Sequence, residues 1–467
     1  MKKSIIFMII FIMTFVSLFP VSASAEYYNL QLENDAQNAG NPIKSQAYYL
    51  VNIDTGAVIF SHNADTPLQC ASLVKIATAV LTVENCDNLD TVVTVSESAL
   101  KPLVNTYSAS ADLKVGEQIT VRNLLYCMML ENANDACNVL AEFIGGTITD
   151  FVGMMNTRAK ELGCTNTNFV NAHGLDADGA YSTAYDMYLI TKKALEYSVL
   201  ADMSQVVDHI VPATNMSEAR ELNNWFDMIE EGTRYYYTYA RGFKCGMTDA
   251  AQRCASFVAS KDAYTYVGII LGCPNEDTDG CGYKDNTALF EAKRMLRWAF
   301  LNLKMIVLAQ PTDTLTSIPV ELSTDADYVR LLPEKQLQAL LLSSVDKTSL
   351  EYVYNIPEKL QAPVEKGQIV GTLQIKYAEN VISTVNLVAG DSVSRNSIMH
   401  LGSLIKNLVV SPTFLIIVAV IVFGVLLYVM VIYLLHKKKM KADRKRLRAI
   451  KEKNLSEFSD LDETNVR

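Results

Sequence analysis

Two long uncharged apolar runs, 5–19 and 414–435, stand near the ends of the chain, and the pattern between them is of shorter period. Positions 47–54 and 57–61 carry β-branched and aromatic residues on either side of Thr55-Gly56, which predicts a hairpin. From Ala71 onward apolar residues fall at Ile76, Ala77, Val80 and Leu81, one face of a helix. Positions 92–96 and 116–121 read as short strands. Positions 122–145 read as two apolar helices broken around Glu131-Asn132-Ala133-Asn134, and 151–162 as a third. Ser182 or Thr183 is placed to cap a further helix. Three strands, 241–248, 255–260 and 264–271, and a closing helix over 287–301 complete this part.

Strands at both ends with helices between them are not the alternation of a parallel doubly wound sheet. They predict an α+β body: an antiparallel sheet flanked by helices, its first and last strands drawn from opposite ends of the segment. Beyond Pro311 short β-rich runs separated by Pro, Gly and charged turns predict a smaller all-β domain. A linker is expected over 392–411.

The terminal runs set the compartment. Met1-Lys2-Lys3, the first apolar run and Val21-Ser22-Ala23-Ser24-Ala25 form the three parts of a secretory signal, with cleavage after Ala25, a retained anchor being the alternative. The second run is long enough to cross a bilayer, and ten Lys or Arg follow it between Lys437 and Lys453. That asymmetry predicts a single-pass protein of the cell membrane, its body outside and its C-terminus in the cytoplasm. The expected division is signal 1–25, main domain 26–305, β-rich domain 312–395, span 413–435 and basic tail 436–467.

The net charge of −10 is uneven: from His436 to Arg467 eleven Lys or Arg face six Asp or Glu, so the remainder carries −15. An acidic exterior offers no footprint for nucleic acid. Nine cysteines all lie in the exported part, where Cys273 and Cys281 could close a loop. No Cys or His spacing suits a metal, and neither metal nor cofactor is expected.

Ser72 and Lys75 lie one turn apart, so hydroxyl and amine share a helix face. A lysine can take a serine's proton once burial or nearby positive charge depresses its pKa. The same spacing recurs at Ser98/Lys101, Ser344/Lys347 and Ser403/Lys406, so spacing alone does not select Ser72. Two more polar clusters do: Asn132-Ala133-Asn134-Asp135 at the helix–helix break, and Lys244-Cys245-Gly246-Met247-Thr248 on a strand.

In this order and placement the three clusters resemble the D-alanyl-D-alanine carboxypeptidases of the low-molecular-mass penicillin-binding protein family. The resemblance covers roughly 47–392. It includes Asn171-Ala172-His173-Gly174-Leu175, Tyr181-Ser182-Thr183-Ala184-Tyr185-Asp186 and, further on, Ala362-Pro363-Val364-Glu365-Lys366-Gly367. It implies a penicilloyl-serine fold in which Ser72 attacks the carbonyl between two D-alanines of a peptidoglycan stem peptide. Lys75, kept neutral by burial and by Lys244, would be the base. The N–H groups of Ser72 and Met247 would form the oxyanion hole, Asn134 would bond the substrate amide, and Lys244 and Thr248, with Gly246 between them, would receive the terminal carboxylate. A β-lactam would be trapped at Ser72 as the same substrate.

Two positions depart from the family pattern: Asn132 stands where serine is usual and Cys245 where threonine is usual. An amide is a poor proton carrier and a thiol a weak donor, and losing a proton-handling group slows catalysis by on the order of 10²–10⁴. Asn132 is therefore counted with Ser72 and Lys75 as a catalytic position, weakened in kind. Cys70 and Cys245 are both expected near the cleft, where they either bridge or stay as two small buried thiols. His173 is read as a structural hydrogen-bonder and Asp135 as a stabiliser of its helix start. The sequence thus reads as a membrane-anchored serine D-Ala-D-Ala carboxypeptidase, its β-rich domain a stalk, its partners stem peptides, β-lactams and the membrane. The alternative is a catalytically weakened member that binds stem peptides or partners without efficient turnover. A β-lactamase would need a second carboxylate base, which no motif supplies.

Overall fold

The computed structural model of the chain describes residues 42–262, 264–277, 284–377 and 380–462. The expected signal and Cys281 lie outside them. In chain order the elements are β1 (Ala47–Asn52), β2 (Ala57–His62), α1 (Val74–Asn85), β3 (Val92–Thr94), α2 (Glu97–Leu100), β4 (Gln118–Thr120), α3 (Val121–Met129), α4 (Asn134–Gly145), α5 (Ile148–Glu161), α6 (Ala184–Leu195), α7 (Ser198–Ser204), β5 (Asp208–Val211), β6 (Arg220–Asn223), β7 (Ala240–Thr248), β8 (Gln252–Lys261), β9 (Tyr264–Cys273) and α8 (Thr287–Asn302).

Strand β1 is buried along its whole length because both its faces are covered. Alternate side chains of a strand point to opposite faces. Ala47, Tyr49 and Val51 accordingly join one apolar cluster, and Tyr48 and Leu50 another. The sheet runs β2-β1-β9-β8-β7 and is antiparallel throughout, so the first strand of the body pairs with the last. The larger cluster holds the apolar faces of α1 and α3 to α7; the smaller holds Phe226, Met228 and the inner face of α8. This is the antiparallel sheet flanked by helices expected from the pattern.

Helix α1 sits at the centre: Val74 to Thr82 are all buried, polar residues included. Its threonines are satisfied internally, Thr78 Oγ1 donating to Ala172 O at 2.6 Å and Thr82 Oγ1 to Thr78 O at 2.8 Å. The α3–α4 break falls where the sequence placed it. Thr183 caps α6 by accepting from the Asp186 N–H, one of the two caps expected. The β5–β6 hairpin has no counterpart in the sequence reading, since most of its side chains are polar or exposed and leave no apolar period.

That hairpin is pinned by a buried ion pair. Arg220 donates through Nη1 and Nη2 to the two carboxylate oxygens of Glu117, at 2.6 and 2.8 Å, and through Nε to Ala111 O at 2.8 Å. The Glu117 side chain is fully buried. The clamp thereby fastens the 109–117 loop to β6.

After α8 the chain is β-rich: β10 (Leu303–Ala309), β11 (Thr316–Glu321), β12 (Tyr328–Pro333), β13 (Leu337–Leu342), β14 (Glu351–Asn355), β15 (Leu360–Gln361), β16 (Ile369–Tyr377) and β17 (Asn380–Ala389). One compact unit takes the described chain to Asp313 together with Pro333–Asn355 and Gly371–Leu387; a second takes Thr314–Leu332, Ile356–Val370 and the chain from Val388 onward. In the first, β10 pairs with β13 and β14 with β16; in the second, β11 pairs with β12 and, in parallel, with β15. The segment expected to be a linker is largely helical, α9 (Ser397–Val410), because its apolar residues recur at helical spacing. It leads into α10 (Pro412–Asp462), which is long and apolar enough over its first half to cross a membrane.

Removing one partner of a buried ion pair leaves the other charge uncompensated, at about 3 kcal/mol or more. Arg220→Ala should therefore lower the urea midpoint of the protein by an equivalent amount with an unchanged slope. A change within about 0.5 kcal/mol, the size of an ordinary surface substitution, would show that the clamp holds nothing.

Candidate active site

Ser72 lies in a short 3₁₀ turn, Ala71–Leu73, that feeds α1. The turn is entered through Ala71 at φ +46°, a left-handed conformation that side chains rarely adopt. Two glycines close on it. A Cβ at Gly174, itself at φ +85°, would lie 1.9 Å from Ala71 O, and one at Gly246 on β7 would lie 2.5 Å from Ser72 Cβ. Any larger residue at either position would displace the serine.

Lys75 is 1 % exposed. Its Nζ lies 3.0 Å from Ser72 Oγ, 2.7 Å from Asn134 Oδ1 and 2.6 Å from His173 O. A neutral amine has two protons and one lone pair. The two carbonyl-type oxygens accept those protons, which leaves the lone pair facing the serine hydroxyl. Burial lowers the amine to about 8, against smaller opposing effects of Cys137 and Asp135. Lys244, 2 % exposed, donates to Met129 O at 2.6 Å, and burial followed by repulsion from Lys75 lowers it to about 7.

The break between α3 and α4 brings the second cluster to the serine. Asn132 is 2 % exposed at φ +58°, and neither atom of its amide has a hydrogen-bond partner among the described residues. Asp135 turns away from the cleft, accepting from Ser110 Oγ at 2.7 Å and from the N–H groups of Ala111 and Leu113. Its carboxylate therefore organises the 109–113 loop as well as lying in the first turn of α4.

These segments enclose a cleft of about 540 Å³, within the usual range for small-molecule sites. Ser72, Asn132 and Asn134 line it, with Gly246 to Asp249 on one wall, Gly174 to Asp176 on another, and Tyr107 and Trp225 exposed at the rim. Lys244 does not line the cleft. Thr248 does, but its hydroxyl donates to Asp176 Oδ1 at 2.5 Å.

Cys245 points the other way. As the residue between Lys244 and Gly246 it faces the opposite side of β7, in the smaller cluster, where its thiol donates to Trp225 O at 3.1 Å. Cys70 belongs to the larger cluster. The expectation that both thiols sit near the cleft and could bridge is thus corrected: strand alternation puts one on each side of the sheet, and all eight described cysteines are free. His173 is structural, as read from the sequence. Its ring Nδ1 accepts from the Leu175 N–H, and burial, with the Lys75 charge, lowers it to about 3. Sequence reasoning missed Gly174 and Asp176 as site residues; the Asn171–Leu175 run was visible as part of the family resemblance, without a role for Gly174.

A buried lysine aimed at a serine, on the first turn of a central helix beside an antiparallel sheet, defines a serine–lysine acyl-transfer enzyme. The sequence profile of the D-alanyl-D-alanine carboxypeptidase family, peptidase S11, matches residues 33–275, and that of the penicillin-binding protein 5 C-terminal domain matches 309–395. The chain is 27 % identical over 356 residues to D-alanyl-D-alanine carboxypeptidase DacF of Bacillus subtilis, covering 75 % of this chain and 86 % of that one. To DacA of Escherichia coli it is 28 % identical over 370 residues, with 74 % and 83 % covered. The crystal structure of penicillin-binding protein 5 from Haemophilus influenzae superposes with a TM-score of 0.63 at 24 % identity, over 76 % of this chain and 99 % of that one, a likeness of fold. The chain belongs to the D-alanyl-D-alanine carboxypeptidase family, peptidase S11.

The base must be neutral to act, and the two amines are cations below their lowered values of about 8 and 7. Acylation of Ser72 by a fluorescent penicillin should therefore rise steeply with pH from 6 and level off above about 8. A profile that is flat or falls over that interval contradicts a lysine base.

Proposed function

We propose that the chain is a membrane-anchored serine D-Ala-D-Ala carboxypeptidase that removes the terminal D-alanine of peptidoglycan stem peptides and is acylated by β-lactams. The observation that carries this is the Lys75 amine, 3.0 Å from Ser72 Oγ with its other contacts taken by Asn134 and His173. Ser72 Oγ attacks the carbonyl carbon between the two D-alanines while its proton passes to Lys75 Nζ. The N–H groups of Ser72 and Met247 hold the oxyanion, and Asn134 bonds the neighbouring substrate amide. As the tetrahedral state collapses, the C–N bond breaks and Lys75 returns the proton to the departing D-alanine nitrogen. Water, deprotonated by the same amine, then hydrolyses the ester.

Of the two departures from the family pattern, Cys245 faces away from the cleft and only Asn132 touches it. The proton path proposed here runs through Lys75 alone and does not require a hydroxyl at 132. Lys244 does not line the cleft; it is a second buried amine, held on Met129 O and itself lowered by burial and by Lys75, and the neutrality of Lys75 comes from burial. The division into signal 1–25, catalytic domain 26–305, β-rich domain 312–395, span 413–435 and tail 436–467 places the cleft on the outer face of the membrane, with the basic tail in the cytoplasm.

Release of D-alanine from a pentapeptide ending in D-Ala-D-Ala, together with penicillin labelling, should be present in the wild type and absent from Ser72→Ala. Labelling without release would make the chain a binding member of its family. Asn132 supplies a second test. Replacing a buried, unpartnered amide at positive φ by glycine removes a desolvation penalty of about 1–3 kcal/mol and eases the backbone. Asn132→Gly should thus melt at the wild-type temperature or above it and still label, since the proton path leaves out the 132 side chain. A variant that melts below the wild type would show the amide to be structural.

A further inference from the structure

The cleft ends at a pair of donors already holding a carboxylate. Thr248 Oγ1 donates to Asp176 Oδ1 at 2.5 Å, and the Ala250 N–H donates to Asp176 Oδ2 at 3.1 Å, so one carboxyl group bridges a hydroxyl and a backbone amide across the two walls. Thr248 in turn accepts from the Ala251 N–H, at 3.0 Å, and its single proton is therefore committed to Asp176. Asp176 is exposed, and among the described residues lining the cleft none is lysine or arginine, whereas Asp249 adds a second acid. Lys244, which the sequence assigned to the substrate carboxylate, is buried on Met129 O.

We propose that Asp176 is an internal competitor: in the free protein it occupies the seat, made of the Thr248 hydroxyl already expected there and of the Ala250 N–H, that the substrate's terminal carboxylate would take. The inference rests on the carboxypeptidase reading for the nature of the ligand. An incoming carboxylate would take the two donors from Asp176, whose exposed side chain swings to water. Asp176 is then a specificity-determining residue: it weakens binding of every free C-terminal acid while leaving a C-terminal amide untouched.

The test uses the full-length protein in detergent, with a D-Ala-D-Ala pentapeptide as free acid and as C-terminal amide. Each is assayed for turnover and for competition against fluorescent penicillin at Ser72. Asp176→Asn keeps an acceptor for the Ala250 N–H, removes the charge and frees the Thr248 proton. It should lower KM and the competition constant of the acid about fivefold, the upper range for one exposed charge contact, and leave the competition constant of the amide where it was. Thr248→Val should weaken the acid alone. Equal shifts of acid and amide in either variant, or weaker binding of the acid to Asp176→Asn, would overturn the proposal and leave Asp176 as a tether between the walls. Penicillin labelling without D-alanine release would end the carboxypeptidase reading; the acid-specific shift in competition would still support the seat, and its absence would still overturn it.

Discussion

The rest of the site depends on one constraint: an amine must be buried beside a serine without being charged. Taking an ammonium ion out of water costs several kcal/mol, and among the described residues Lys75 is met by a hydroxyl and two carbonyl oxygens rather than by a carboxylate. The nearby acid, Asp135, spends its oxygens on the 110–113 loop. Burial thus brings the neutral amine within reach near pH 8, and it is the neutral form that makes Lys75 a base. The acceptors come from the start of α4 and from the 171–175 loop, segments far apart in sequence, so the base is assembled only when the whole body has folded.

Several residues hold this arrangement against local preference. Ala71 and Asn132 both adopt positive φ, and Asn132 leaves a buried amide without partners among the described residues. Gly174 and Gly246 give up side chains so that two backbones can approach the serine. Strain and unsatisfied groups of this kind persist where the surrounding structure over-determines them. The dense packing around α1 and the internal bonds of Thr78 and Thr82 supply that support.

Much of this was legible in the sequence. The apolar periods of α1, α3 and α4 and the β-branched runs of β1, β2 and β7 to β9 located the sheet, its flanking helices and the α3–α4 break. Ser72, Lys75, Asn132, Asn134 and Gly246 were readable as clusters, and the structure brings them together. What escaped depends on direction and distance, which a linear pattern does not carry. Strand alternation turns Cys245 to the far side of β7. Lys244 is drawn to a backbone carbonyl, Met129 O, that no motif marks. Asp176 reaches Thr248 across 72 positions of chain. The β5–β6 hairpin lacks an apolar period because its hold comes from Arg220 and Glu117.

The chemistry at Ser72 requires that the Lys75 amine give up its proton near pH 8, well below the ordinary lysine value. The most direct test is an NMR titration of the protein with ¹³C-labelled lysine, the buried signals assigned by comparison with Lys75→Ala and Lys244→Ala. The account predicts two amines that titrate as a coupled pair between pH 7 and 8, the Lys75 resonance near 8. Titration of both near the ordinary lysine value of about 10.4 would contradict it, because Lys75 would then hold its proton throughout the interval in which acylation is expected to rise and would have no lone pair with which to take that of Ser72.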